Sequence, residues 1–250
     1  SGDDSLYGDD GTDTLSGGDG IDYIDGGNTN DGTGDTVSYA YLNSTTNKVF
    51  VDLSATPTVS AGVYNATVYS TVGVASTTDL DSLVNIENVI GSSNSDTLIG
   101  NDSKNILNGG AGNDSLYAKA GITDPIGDSL YGDSGDDFLV GSIGADLLDG
   151  GTGGETNGDT ASYEYLDSLG SGYKVVVDLT ASTAATVYNG STETADKDTF
   201  VSIENVLASS FKDTITGNSS SNKISGGAGA DLIYGSNGAG DIIDGGIDGT

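Results

Sequence analysis

The chain of 250 residues contains no cysteine and no histidine. Without cysteine there is neither a disulfide framework nor a thiolate metal site, and nothing follows about redox compartment. Without histidine a serine-protease triad has no base and the usual zinc centres lack their ligands. The string GDSG at Gly132–Gly135 is therefore not read as a nucleophile motif. Arginine is absent as well: seven lysines face 38 acids, 33 of them Asp, for a net charge of −31. That balance argues against nucleic acid or an anionic membrane surface as partner and for cations. Proline occurs twice beside 41 glycines, which excludes collagen and proline-rich linkers. No apolar run approaches the length of a membrane span, so no membrane insertion is expected.

What is present is glycine and aspartate in a frame of nine. The stretch GGAGNDSLY, Gly109–Tyr117, recurs as GDDGTDTLS from Gly8, GGDGIDYID from Gly17, GDSGDDFLV from Gly132, GSIGADLLD from Gly141 and GGAGADLIY from Gly226. Glycine holds the first and fourth positions, Asp the sixth, Leu or Ile the eighth. Degenerate copies start at Gly91, Gly100, Ala208 and Gly217, and two of them carry Asn105 and Asn222 in place of Asp. A disordered tail has no reason to keep the aliphatic eighth position. Asp in such numbers favours turns and metal sites over helices, because its short side chain bonds close to its own backbone.

A larger repeat encloses the small one. DTVSYAYL from Asp35 returns as DTASYEYL from Asp159, VFVDL from Val49 as VVVDL from Val175, and VNIENV from Val84 as VSIENV from Val201. The chain begins and ends inside repeats, at SGDDSLYG and GGIDGT, and is expected to be an excerpt of something longer rather than to open on a signal peptide.

The tail of each nonamer reads as a short strand with its aliphatic residue on one face, and the six residues before it as a glycine-rich turn. Two nonamers make one coil of 18 residues. Stacked coils form two parallel sheets around a thin core, expected to contain Leu6, Leu15, Ile24, Leu98, Leu107, Leu116, Leu130, Leu139, Leu148, Ile215, Ile224, Ile233 and Ile243. The fold class is all-β: a parallel β-roll or β-solenoid interrupted by longer-strand segments. Rolls are expected at 1–39, 91–163 and 208–250. The segments 40–90 and 164–207, rich in alternation such as KVFVDL, YNATVYSTV and SGYKVVVDL, either continue the stack or cap it from the side. Their β-branched and glycine-rich composition argues against helix.

The pattern G-G-x-G-x-D-x-U-x, as at Gly109–Tyr117 and Gly226–Tyr234, resembles the RTX or hemolysin-type calcium-binding repeat. Its departures are Asn105, Asn222 and the insertions near Asn28, Ile122 and Gly154. The resemblance implies a parallel β-roll with calcium between neighbouring turns, export by type I secretion, and an extracellular or cell-surface location. It implies several Ca2+ ions, with the sixth-position acids as ligands: Asp4, Asp13, Asp22, Asp35, Asp96, Asp114, Asp128, Asp137, Asp146, Asp159, Asp213, Asp231 and Asp241. Calcium takes six to eight oxygens, and one turn offers too few, so an ion has to be shared between stacked turns. The register then pairs Asp4 with the turn of Asp22, Asp128 with that of Asp146, and Asp137 with that of Asp159, while Asp137 and Asp146 fall on opposite edges.

No enzyme activity is expected: acids that serve calcium turns account for the paired carboxylates, and Glu87 and Glu204, in matched IEN motifs, are read as bonding backbone groups at a strand end or capping a calcium site. Tyr7, Tyr117, Tyr131 and Tyr234 at the ninth position are read as packing on the sheet face. The function expected is a calcium-dependent structural module of an adhesin, filament or surface-layer component, partnered by calcium and by neighbouring repeats or identical chains. The alternatives are an accessory module of a secreted enzyme, or a glycan- or ice-binding face.

Overall fold

The computed structural model describes residues 2–28, 32–43, 47–55, 65–69, 75–119, 126–181, 184–236, 238 and 240–246. The insertion at Ile122 and the ends of YNATVYSTV lie outside them. The fold is a parallel β-roll of short strands, most of three residues, that alternate between two faces.

The alternation follows from the DxUx tail. In Ser115–Tyr117 the central Leu116 points inward and is fully buried while its neighbours are half-exposed. On one face Leu98, Leu116 and Leu139 stack in register; on the other Val89, Leu107, Leu130 and Leu148 do the same. These two columns meet as a single apolar core. Where turns keep the nonapeptide length, strands pair 18 residues apart, as in Thr97↔Ser115. Where a turn carries an insertion the pairing moves to 23, as in Ser115↔Phe138, or to 22, as in Phe138↔Thr160. The extra residues are absorbed in the turn, so the aliphatic side chains stay in line.

The two longer-strand segments continue the stack by an antiparallel interlude. In the first, Lys48–Asp52 pairs parallel with Thr97–Ile99, Ala66–Tyr69 runs antiparallel to it, and Ala75–Val84 returns antiparallel to stack on Tyr23–Asp25. In the second, Tyr173–Asp178 pairs parallel with Thr214–Thr216, and Ala185–Asn189 runs antiparallel to it. The approach to Thr199–Val201 then pairs with Ala185 and Val187 and stacks on Leu147–Asp149. The copies lie on opposite faces of the roll: Thr36–Ser38, which precedes the first interlude, shares a sheet with Asn88–Ile90, whereas its counterpart Thr160–Ser162 shares the other face with Phe138–Val140.

Two expectations need correction. A 3-10 helix spans Glu164–Leu169 in a segment read as free of helix. Leu166 donates to the Tyr163 carbonyl and is itself fully buried, so a short tight coil drops Tyr163 and Leu166 into the core end to end, and Gly170 with φ +96 stops it. Ile243, expected in the core, is 48% exposed, because its strand Ile242–Asp244 is covered on one side only among the described residues. Leu6, Leu15 and Ile233 are half-buried for the same reason, each lying near an end of its sheet.

Candidate metal centres

Most turns end at an acid that opens the next strand, two end at Asn, and these residues form ladders. Along each ladder the backbone N–H of one rung donates to a carboxylate oxygen of the acid one coil further on. Along one edge Asp96 donates to Asp114 at 2.7 Å, Asp114 to Asp137 at 2.7 Å and Asp137 to Asp159 at 2.8 Å. On the other edge Asn105 donates to Asp128 and Asp128 to Asp146, both at 2.7 Å. Shorter runs join Asp4 to Asp22, Asp13 to Asp35, Asp213 to Asp231 and Asn222 to Asp241. The three expected pairs, Asp4 with Asp22, Asp128 with Asp146 and Asp137 with Asp159, are thus brought together. Asp137 and Asp146 open strands in different sheets.

Past the first rung, each of these ladder carboxylates spends Oδ1 on a coil neighbour. The second oxygen, Oδ2, has no hydrogen-bond partner in Asp13, Asp22, Asp114, Asp137, Asp146 and Asp159, and all of these except Asp13 are buried. Oδ2 lies against the first glycine of its own nonamer. A methyl group on Gly109 would strike the Asp114 carboxylate, and one on Gly132 would strike both Asp137 Oδ2 and the Gly150 carbonyl oxygen of the next coil. The first glycine is therefore required as empty space beside charged oxygen. The fourth, such as Gly112 at φ +127, is required for its left-handed backbone.

A buried carboxylate without a cation is costly. Burial pushes Asp114 up to about 8, with Asp96 and Asp137 adding to it, and pushes Asp159 up to about 7 and Asp137 up to about 6. Asp146 is raised by burial and then by the Asp198 carboxylate. Among the described residues the ion pairs are Lys119–Asp102 and Lys197–Glu193, and neither includes a ladder acid. A row of buried carboxylate oxygens, several sharing the space beside a glycine with a backbone carbonyl of the next coil, fits a hard divalent cation that takes carboxylate and carbonyl oxygen.

The four degenerate nonamers are built differently. In Gly91–Asp96 the second position is Ser92, whose N–H donates to Asp96 Oδ2 at 2.5 Å and whose hydroxyl donates to Oδ1 at 2.9 Å, while Val49 N–H also donates to Oδ1 at 2.7 Å. Ser209, through N–H and hydroxyl, and Val175 N–H likewise donate to Asp213. In the Asn turns, Asn105 Oδ1 accepts from Asn101 N–H while its amide donates to Asn101 Oδ1 and to the Glu87 carbonyl. Asn222 repeats the pattern with Asn218 and Glu204. These turns are closed: a side chain of the turn occupies what the other turns leave to a ligand. Asp96 and Asp213 thus have both oxygens hydrogen-bonded, unlike Asp22, Asp114, Asp137, Asp146 and Asp159. Asp4 is exposed and contributes only its N–H to the ladder.

Sequence reasoning missed four acids. Asp81 accepts from Asp22 N–H and Asp198 from Asp146 N–H, both at 3.0 Å, so each interlude supplies the next rung of a ladder. Both are buried and capped by a buried tyrosine, Tyr39 on Asp81 at 2.7 Å and Tyr163 on Asp198 at 2.5 Å. Asp79 and Asp196 lie two residues before them, and Tyr165 hydroxyl donates to Asp196. The signal was present: DSLV from Asp81 and DTFV from Asp198 are strand tails of the nonapeptide type without the glycine turn. Glu87 and Glu204 end ladders by accepting from Asp35 and Asp159 N–H. The Asn beside each, Asn88 and Asn205, accepts from the coil above and donates to carbonyls of the coil below, so the IEN motif clasps three coils in register. Of the ninth-position tyrosines, Tyr117 packs on Phe138 and Tyr7 on Tyr23, along the outer sheet face.

Stacked glycine turns with rows of cation-seeking carboxylates define a calcium-binding parallel β-roll. Set against known protein families, the chain matches the RTX calcium-binding nonapeptide repeat in four copies, at residues 1–32, 90–123, 125–154 and 207–242, slightly over half its length. It belongs to that family, whose repeats bind calcium ions and are generally structural, and whose proteins are typically secreted. Residues 33–89 and 155–206, which hold the interludes, lie outside the matched copies. No curated protein matches the chain. Among the described residues no helix is long and apolar enough to cross a membrane.

Proposed function

We propose that this chain is a calcium-folded structural module of a secreted or cell-surface protein, an adhesin, filament or surface-layer component, with no catalytic role of its own. The observation that carries the reading is the row of buried Asp Oδ2 atoms without partners. On the proposed reading Asp13, Asp22, Asp35, Asp114, Asp128, Asp137, Asp146, Asp159, Asp231 and Asp241 supply carboxylate oxygen to calcium, turn carbonyls of adjoining coils complete the shell, and the closed turns at Asp96 and Asp213 take none. Rolls at 1–39, 91–163 and 208–250 alternate with linking segments at 40–90 and 164–207. Its partners are calcium and neighbouring repeats or identical chains, not nucleic acid.

The energetics make the metal part of the fold. Two carboxylates about 5 Å apart at an effective dielectric near 20 repel by roughly 3 kcal/mol, and one aliphatic side chain per nonamer contributes only about 1.5 to 3 kcal/mol on burial. Calcium removes the repulsion; at roughly 10⁻⁴ to 10⁻³ M, the affinity range of extracellular modules, folding awaits a calcium-rich medium. Circular dichroism tests this: chelation should abolish most β signal and millimolar calcium restore it, with magnesium a poor substitute because it holds its water and demands a tight octahedron. A β signal indifferent to calcium would sink the proposal.

A further inference from the structure

The turn Gly150–Asp159 takes ten residues where a nonapeptide takes six, and the surplus carries an acid, Glu155. The far half of this turn is pinned from the coil below. Asp136 Oδ1 accepts from the N–H groups of Thr156, Asn157 and Gly158 at 2.7, 2.8 and 3.1 Å, and Asn157 Nδ2 donates to Asp136 Oδ2 at 2.8 Å. Those bonds hold the Asp136 carboxyl down to about 2, so it stays charged and the turn stays fixed. Glu155, immediately before the pinned stretch, accepts from Gly153 N–H through Oε1 at 3.0 Å. From the coil above, Glu204 accepts from Asp159 N–H through Oε2 at 3.0 Å. One carboxylate oxygen from each of Glu155, Asp159 and Glu204 lies within 4.8 Å of the other two. Independently, Asp159 is completely buried and its Oδ2 has no partner.

We propose that Glu155, Asp159 and Glu204 form a calcium site of a type the nonapeptide pattern does not describe. It has three side-chain carboxylates converging on one point, all of them from outside any matched repeat. The inference rests on the calcium reading above, since Asp159 is also a rung of the ladder. A nonapeptide turn offers one carboxylate and leaves the rest to carbonyls; this site gathers three negative charges on oxygen, and affinity for Ca2+ rises with ligand charge and rigidity. It is the first site on the chain to fill. Its place gives it a job: Glu204 leads into the strand Asn205–Leu207, which stacks on Thr160–Ser162 as the chain leaves the second interlude. Metal bound there latches the returning strand to the roll. The sequence repeats the arrangement. In the first copy the ten-residue turn Gly26–Asp35 carries Asp31, outside the described residues, at the position of Glu155, and Glu87 accepts from Asp35 N–H at 2.9 Å as Glu204 does from Asp159.

The test is calorimetric titration of Ca2+ into the calcium-free full chain, comparing wild type with Glu155→Gln, Glu204→Gln and the double variant. Glutamine keeps an acceptor oxygen for Gly153 or Asp159 N–H while removing the charge and one of the two carboxylate oxygens. The tightest class of binding should weaken at least tenfold in either single variant and no more than once over in the double, with the weaker ions and the calcium-saturated circular dichroism unchanged. The exposed Glu193→Gln serves as control and should titrate as wild type. If Glu155→Gln and Glu204→Gln both titrate as wild type while calcium still folds the chain, this site is refuted and the ladder reading survives. If wild type takes up no calcium, both fall.

Discussion

Two turns one coil apart on the same edge, Gly91–Asp96 and Gly109–Asp114, have the same length, the same strand register and the same ladder bond between them. They differ at one position that matters. Ser92 brings two donors to its Asp, whereas Gly110 brings none, so Asp96 is hydrogen-bonded through both oxygens and Asp114 is left with a buried one free. Burial lifts both carboxyls, Asp96 to about 6 against three protein donors and Asp114 to about 8 against one. A closed turn is a nonapeptide that carries its own ligand. The difference teaches that glycine at the second position is an invitation to metal as much as a conformational device. The closed turns cluster just after each interlude hands the chain back to the roll, so those turns hold their own acid or amide by protein hydrogen bonds.

The largest effect that would break this comparison is that of pH without calcium. Asp114, Asp159 and Asp137 hold their protons in the folded state up to about 8, 7 and 6, against 3.8 for an unperturbed Asp. The folded state therefore binds more protons than the unfolded one over that window. Its stability is complete below about pH 4 and is lost as pH rises through 6 to 8. Calcium-free protein should recover β signal in circular dichroism between pH 4 and 5 that is absent at pH 8. A flat profile would mean that the open turns are not the repelling element.

Substitution comes next in size. Asp114→Ala should remove a calcium ion from the calorimetric count and leave Asp96 N–H without its acceptor, a cost of about 1 to 3 kcal/mol. Asp96→Ala strands the N–H groups of Val49 and Ser92 at similar cost and should leave the calcium count untouched. Equal counts for the two variants would erase the distinction between open and closed turns. Smallest is Ser92→Ala, which removes one hydroxyl bond to Asp96 and should lower stability by about 1 kcal/mol in calcium-saturated thermal melts, again at constant calcium count.

The roll was legible because its period is local: nine residues fix a glycine, an Asp and an aliphatic side chain, and Leu98 and Leu116 fall into one column from that spacing alone. The ladder was legible in register but not in chemistry. A bond from Asp114 N–H to Asp137 Oδ1 joins residues 23 apart and exists only once coils have stacked. Degeneracy at Gly91, Gly100, Ala208 and Gly217 was visible in the sequence, yet that Ser92 or Asn101 fills the ligand position depends on where the turn aims a hydroxyl or an amide. Asp81 and Asp198 were hidden because their tails follow strands rather than glycine turns. The Tyr163–Leu166 coil was hidden because its residues enter the core by tertiary packing that composition does not encode.

Each interlude sets three strands on one face of the roll where the alternation supplies one, and strands lie about 4.8 Å apart. Two surplus strands widen that face by about 10 Å and act as a wedge, tilting the coils beyond them away from it. The first wedge stands on the face of Thr97–Ile99 and the second on the face of Thr214–Thr216, opposite to it. The second tilt thus undoes the first. Had the duplicated unit contained an odd number of strands between interludes, both wedges would fall on one side and an array of such units would close into an arc; with the eight described strands from Asn88–Ile90 to Thr160–Ser162 it runs on as a zigzag whose mean direction is straight, the shape that reaches furthest per residue of chain.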